Sequence, residues 1–164
     1  MATKLINFRV EFTRPNNTTA YAVGDVVGPN PAAALTLTPN QENAVILGQS
    51  YLVKSIRLVT NNTTVTNGNF KLYFFKEAPT GIADNSPFTL LYSQNAIRSG
   101  NYQLPLVAVE GSGGDCAEAY ASDVNIPIKT TANGISAVLV AEGAYTPAGG
   151  QTFYISIEAF ITAE

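Results

Sequence analysis

The chain has 164 residues, a net charge of −3, 46% hydrophobic residues and only 13% charged ones. That length suits a single domain, 1–164, with enough buried surface to fold without a disulfide or metal staple. The composition excludes several chemistries at once: there is no histidine to act as a base or metal ligand, and the one cysteine, Cys116, has no partner in the chain for a disulfide or thiolate cluster.

Other bulk features narrow the reading further. Nine Lys and Arg residues are scattered and never form a run, so the basic stripe that replaces phosphate counterions on nucleic acid is missing. No stretch of apolar residues is long enough to span a membrane. Met1 to Val10 carries Lys4, Asn7 and Arg9 and lacks the apolar run of a signal peptide, which leads to an expectation of synthesis in a cytoplasm.

The apolar residues recur with a period of two, not 3.6. Ile6, Phe8, Val10 and Phe12 share one face of a first strand, and Asn7, Arg9 and Glu11 share the other. Ala20 to Gly28 is β-rich but interrupted at Gly24-Asp25. Leu35 and Leu37 alternate in a short piece bounded by Pro31 and Pro39, with a helical turn over Pro31–Ala34 as an option. Tyr51 to Thr60 is a strong strand, and Asn67-Gly68 signals a tight turn. From Phe70 to Lys76 both faces are apolar, because Phe70, Leu72 and Phe74 alternate with Lys71, Tyr73 and Phe75. Such a strand needs a cover on its second face, from a loop or a neighbouring subunit. Phe88–Tyr92 and Tyr102–Val109 read as further strands, and Gly111–Asp123 as a loop with room for one helical turn. Val124, Ile126 and Ile128 alternate next, with Pro127 indicating an edge. Gly134–Glu142 and Phe153–Ile161 complete the set; in the last, Phe153, Ile155, Ile157, Ala159 and Ile161 align. No amphipathic helix of three turns appears, which argues against a parallel sheet with crossover helices. The expectation is an all-β, antiparallel two-sheet sandwich of jelly-roll-like form with helix below about 15% of residues, against the usual third.

Candidate sites are weak. Cys116 sits in GGDCAEA, where glycines favour exposure, but no histidine exists to activate it, and a small half-buried residue is the plainer reading. The carboxylates from Glu11 to Glu164 show no catalytic pairing. Asp84 with Asn85, or Asp115 with Glu118 and Asp123, offer oxygen ligands for calcium without matching an EF-hand loop. Asn17 and Asn62 head Asn-Thr-Thr runs that read as polar turns. Tyr21, Tyr120 and Tyr145 lie near turns, where they serve either as interface contacts or as loop anchors. The expected sites are therefore catalytic none, cofactor none and metal none.

YAVGDVVG (Tyr21 to Gly28), SIRLVT (Ser55 to Thr60), KLYFFKEAPTGIADNSPFTLLY (Lys71 to Tyr92) and PAGGQTFYISIEA (Pro147 to Ala159) together give the chain a familiar pattern. It resembles a family of small β-rich structural proteins of tailed bacteriophages and prophages, often encoded among the head genes. The likeness covers nearly the whole chain and carries no catalytic residues. It implies a non-enzymatic structural protein of the virion, a capsid decoration or accessory head protein. Its implied partners are itself, as a homotrimer or other homo-oligomer, and the major capsid protein or other virion proteins; the scattered basic residues and the lack of a long apolar run lead to an expectation of no direct nucleic acid and no membrane. The alternative is a non-catalytic host-glycan binding or adhesion module of jelly-roll type, against which the absence of tryptophan weighs.

Overall fold

The structure, a computed structural model, describes residues 4–40, 48–111, 113–131 and 134–162. In chain order its elements are β1 (Leu5–Thr13), β2 (Val26–Val27), β3 (Leu35–Pro39), β4 (Ser50–Thr60), β5 (Asn69–Phe75), α1 (Tyr92–Ala96), β6 (Arg98–Pro105), β7 (Val107–Ala108), β8 (Ala117–Lys129), β9 (Ile135–Ala141) and β10 (Thr152–Ile161). With 52% strand and 3% helix, the protein is all-β as expected.

All the ladders are antiparallel, in the order β6-β5-β9-β3-β1-β10-β4-β8-β7, with β2 on β9. The sheet folds into two layers at β3, which changes partner midway. Leu35–Leu37 pair with β9, while Thr38 and Pro39 pair with Arg9 and Phe8 of β1. Its two ends then approach each other where β6 meets β8, so the sheet nearly closes into a barrel. At that seam a Cβ on Gly100 would lie 2.9 Å from Ile126 Cγ2. The first and last strands lie side by side, in register from Leu5↔Phe160 to Thr13↔Thr152.

The alternation read from the sequence sets the main core. Ile6, Phe8 and Phe12 of β1 and Phe153, Ile155, Ile157 and Ala159 of β10 are buried in it. They meet Phe70, Leu72 and Phe74 of β5 and Ile135, Ala137 and Leu139 of β9 from the facing layer. Burial of such side chains contributes about 1.5–3 kcal/mol each relative to exposure. β9 is buried on both faces. Its other side, Val138 and Val140, joins Phe75 and Val26 in a second cluster, with Tyr73, Ile82, Phe88, Leu90 and Ile97 packed on it. The cover sought for Tyr73 and Phe75 is thus the chain's own segment between β5 and β6, which removes the need for a neighbouring subunit there.

Three local expectations are corrected. Phe88–Tyr92 is not a strand. Phe88 and Leu90 do alternate inward with exposed Thr89 and Leu91, but they pair in no ladder, the isolated bridge Asp25↔Pro87 lies just before them, and α1 begins at Tyr92. Gly111–Asp123 is not a loop throughout, because β8 starts at Ala117. Ala117, Ala119 and Ala121 point inward and Glu118, Tyr120 and Ser122 outward. Alanine has little strand preference of its own, so tertiary packing supplies what local propensity lacks. Residues 32–34 hold no helical turn. Gly81 crosses them so closely that a Cβ would sit 2.8 Å from the Ala32 carbonyl oxygen.

Other signals are confirmed in detail. Gly24 has φ +92° at the break before β2. The Gly68 amide bonds the Val65 carbonyl at 2.9 Å, closing a tight turn with Asn67 at φ 55°. That turn joins no hairpin; it carries the chain from β4 in one layer to β5 in the other. Pro127 lies beyond the two β8 residues that β7 pairs with, where β8 faces β6 without a ladder among the described residues.

Candidate interaction face

The outer surface of the layer β1-β10-β4-β8 is a grid whose rows follow from the ladder registers. One row runs Asn7, Glu158, Ser55, Ser122; the next Arg9, Ser156, Arg57, Tyr120; the third Glu11, Tyr154, Val59, Glu118. These are the residues that alternate with the core set, so one pattern specifies both faces. A central row with two arginines is flanked on each side by carboxylates. Arg57 contacts Glu118 Oε2 through Nε at 2.8 Å and Nη2 at 2.7 Å, and the Ser55 hydroxyl donates to Glu158 at 3.0 Å. Tyr120 is 64% exposed. Two shallow depressions lie side by side and share Tyr154. One, of about 410 Å³, includes Arg9, Glu11 and Thr38, and the other, of about 450 Å³, includes Asn7, Asn40, Arg57 and Tyr120. The chemistry offered is recognition by hydrogen bonds, charge and aromatic contact.

The remaining candidates named from sequence fall elsewhere. Tyr21 and Tyr145 are buried and are not interface contacts. The Tyr145 hydroxyl accepts from Gln151 Nε2 at 2.9 Å, and Gln151 Nε2 also donates to the Thr60 hydroxyl. Burial pushes the Tyr145 phenol up from its ordinary value, partly offset by its hydrogen bonds to Gln151 and Asn62. Tyr21 belongs to a buried polar cluster with Arg14 and Asp84. Arg14 Nε donates to the Tyr21 hydroxyl at 2.7 Å, and that hydroxyl donates to Asp84 Oδ1 at 2.6 Å. Arg14 Nη1 donates to the carbonyls of Asn17 and Ala148, and Nη2 to Asn17 Oδ1 and Asp84 Oδ2. All five guanidinium donors are satisfied. Burial, with the hydrogen bond to Asp84, raises the Tyr21 pKa far above its ordinary value.

Asp84 is therefore an internal counter-ion. Its sequence neighbourhood gave no sign of Arg14, 70 positions away. The Asp115, Glu118 and Asp123 set is not brought together either. Glu118 binds Arg57, while Asp123 lies 3.6 Å from Lys54 in a bulge of β8, where Asp123 and Asn125 adopt φ 55° and 54°. Among the described residues no three Cys, Asp or Glu groups converge on one point. Glu42 and Glu164 lie outside the described residues. Cys116 is half-buried, just before β8. Asn17 and Asn62 are turn residues as read, each Oδ1 accepting from the amide two positions on, at 3.1 Å. Among the described residues no helix is long and apolar enough to cross a membrane.

No protein-family model matches the chain, and no curated protein matches it. Among solved structures it is similar to one titled Desmodium yellow mottle tymovirus, at 13% identity and TM-score 0.33, covering 99% of this chain and 89% of that one. It is also similar to the acidic stable capsid structure of Helicobacter pylori bacteriophage KHP30, at 13% identity and TM-score 0.34, covering 99% and 95%. A marine algae virus of the order Picornavirales gives 14% identity and TM-score 0.29, covering 99% and 72%. Likenesses at this level carry no weight for function.

Proposed function

We propose that the chain is a non-enzymatic structural component of a virus particle, a capsid decoration or accessory head protein of a tailed bacteriophage. The observation that carries this reading is the grid of polar, charged and aromatic side chains on β1-β10-β4-β8. Its side chains stand on paired strands, so ordering them on contact costs less entropy than ordering a loop. It combines tyrosine and arginine, the types enriched where proteins meet. Its alternating rows of charge suit a contact repeated by symmetry. The phage assignment itself rests on the sequence resemblance.

In this reading residues 1–164 act as one domain, assemble as a homo-oligomer such as a trimer, and dock on the major capsid protein of the virion. Co-sedimentation with purified capsids lacking the protein tests docking, and light scattering at micromolar concentration tests assembly. Binding that Arg57→Glu and Tyr120→Ala each abolish is expected. A strict monomer with no capsid binding would overturn the proposal.

A second reading, a glycan-binding or adhesion module, is favoured by one feature: Tyr120 and Tyr154 border a depression that also presents the amides of Asn7 and Asn40. Saturable binding to a glycan array, lost in Tyr154→Ala, would select it.

A further inference from the structure

A different part of the molecule gathers charge that the sequence scatters. Where β4 begins and β8 ends, beside the start of β6, lies a pocket of about 340 Å³. Lys76, Arg98 and Lys129 line it together with Ser50, Ser99 and Thr162, and among the described residues no carboxylate does. The three cations come from separate parts of the chain, and the fold fixes their backbones. Lys129 is in register with Ser50, and the Thr162 amide bonds the Ser50 carbonyl at 3.1 Å. Phe75, next to Lys76, is in register with Arg98, and the Lys76 amide bonds the Ile97 carbonyl at 2.8 Å. The Arg98 guanidinium rests 5.4 Å from the centre of the Tyr73 ring, which limits its freedom.

These three differ from four of the other six cations; Lys4 and Arg9, which do not line the pocket, also lack a salt bridge among the described residues. Arg14, Lys54, Arg57 and Lys71 each face a carboxylate within salt-bridge distance. Lys76, Arg98 and Lys129 have no such partner among the described residues, yet all three line one pocket, in a chain whose net charge is −3. Like charges held at one mouth repel, and an anion between them turns that repulsion into attraction. The adjacent hydroxyls of Ser50, Ser99 and Thr162 supply further donors for oxygen.

We propose that this pocket is an oxyanion site that takes a compact phosphate-bearing ligand. Three cations lining one pocket match the spread charge of a phosphate better than the single planar fork of a carboxylate, which one arginine satisfies alone. The pocket is at the small end of ligand sites, so the phosphate group makes up much of what it holds. This inference does not rest on the virion reading.

The test is calorimetric titration of the full chain with inorganic pyrophosphate and, separately, with citrate, at low ionic strength. One saturable pyrophosphate site is expected, with citrate weaker and added salt reducing affinity. Lys76→Gln, Arg98→Gln and Lys129→Gln should each weaken binding about fivefold, the size of one exposed charge pair. Lys71→Gln, whose cation already pairs with Glu142 at 3.1 Å, should leave it unchanged. Circular dichroism of each variant separates loss of the site from loss of the fold. No saturable binding, an equal loss in Lys71→Gln, or citrate binding as tightly as pyrophosphate would overturn the proposal.

Discussion

Arg14 and Asp84 meet at 3.2 Å, with side chains 0% and 4% exposed, and their contact fastens the segment between β5 and β6 to the chain that follows β1. That segment carries Ile82, Phe88 and Leu90 onto the second core, so one buried ion pair holds in place the cover that β5 and β9 require. Removing one partner leaves the other charge buried without a counter-ion. Asp84→Ala is expected to destabilise the protein by about 3–5 kcal/mol, read as a shift in denaturant midpoint. The joint replacement Arg14→Met with Asp84→Leu should cost less than the sum of the two single changes; simple additivity would show that the pair is not coupled.

Alkaline stability follows from the buried phenols. Tyr21, Tyr51 and Tyr145 all have pKa values raised above the ordinary 10.0, with burial as the leading cause in each. Below pH 10 the phenols are protonated in both states, and their contribution is fully present. Above it the unfolded chain releases protons that the folded one retains, so stability falls as pH rises. Spectrophotometric titration should show these three ionising together with unfolding, above pH 10. Their independent ionisation in a chain whose circular dichroism remains native would contradict the assignment.

The seam between β6 and β8 is sterically specified. Gly100→Ala places a methyl group 2.9 Å from Ile126 Cγ2, and overpacking of this kind costs about 1–3 kcal/mol. Ile126→Ala removes the opposing methyl, so the double variant should recover part of the loss caused by Gly100→Ala. Chemical denaturation of the four proteins of the cycle measures this coupling; zero coupling would mean that the two strands do not touch there.

Cys116 is half-buried, and its described backbone contact is the carbonyl that accepts from the Val109 amide at 3.4 Å. Cys116→Ser is expected to stay within about 0.5 kcal/mol of the parent and to keep assembly and binding intact. Loss of any measured activity in this variant would refute the non-enzymatic reading.

Legibility varied along the chain for physical reasons. In β1 and β10 the inward sets headed by Ile6 and Phe153 were readable because a strand exposes alternate side chains to one core and one solvent face. In β8 the same alternation is written in Ala117, Ala119 and Ala121, residues too small to mark an apolar face by themselves. The outer grid was half legible: Asn7, Arg9 and Glu11 were recognisable as a wet face, while their alignment with Glu158, Ser156 and Tyr154 required the register.

The sequence by itself determined the all-β class, the break at Gly24, the turn at Asn67-Gly68 and the need to cover Tyr73 and Phe75, because each is a property of neighbouring residues and their backbone preferences. Only the tertiary structure decided which segment supplies that cover, that Tyr21 and Tyr145 are internal, and that Arg14 meets Asp84. It also decided that Lys76, Arg98 and Lys129 share one pocket. These are contacts between residues far apart along the chain. They depend on strand order, register and sheet closure, which the packing of the whole chain selects and which the period of two leaves open.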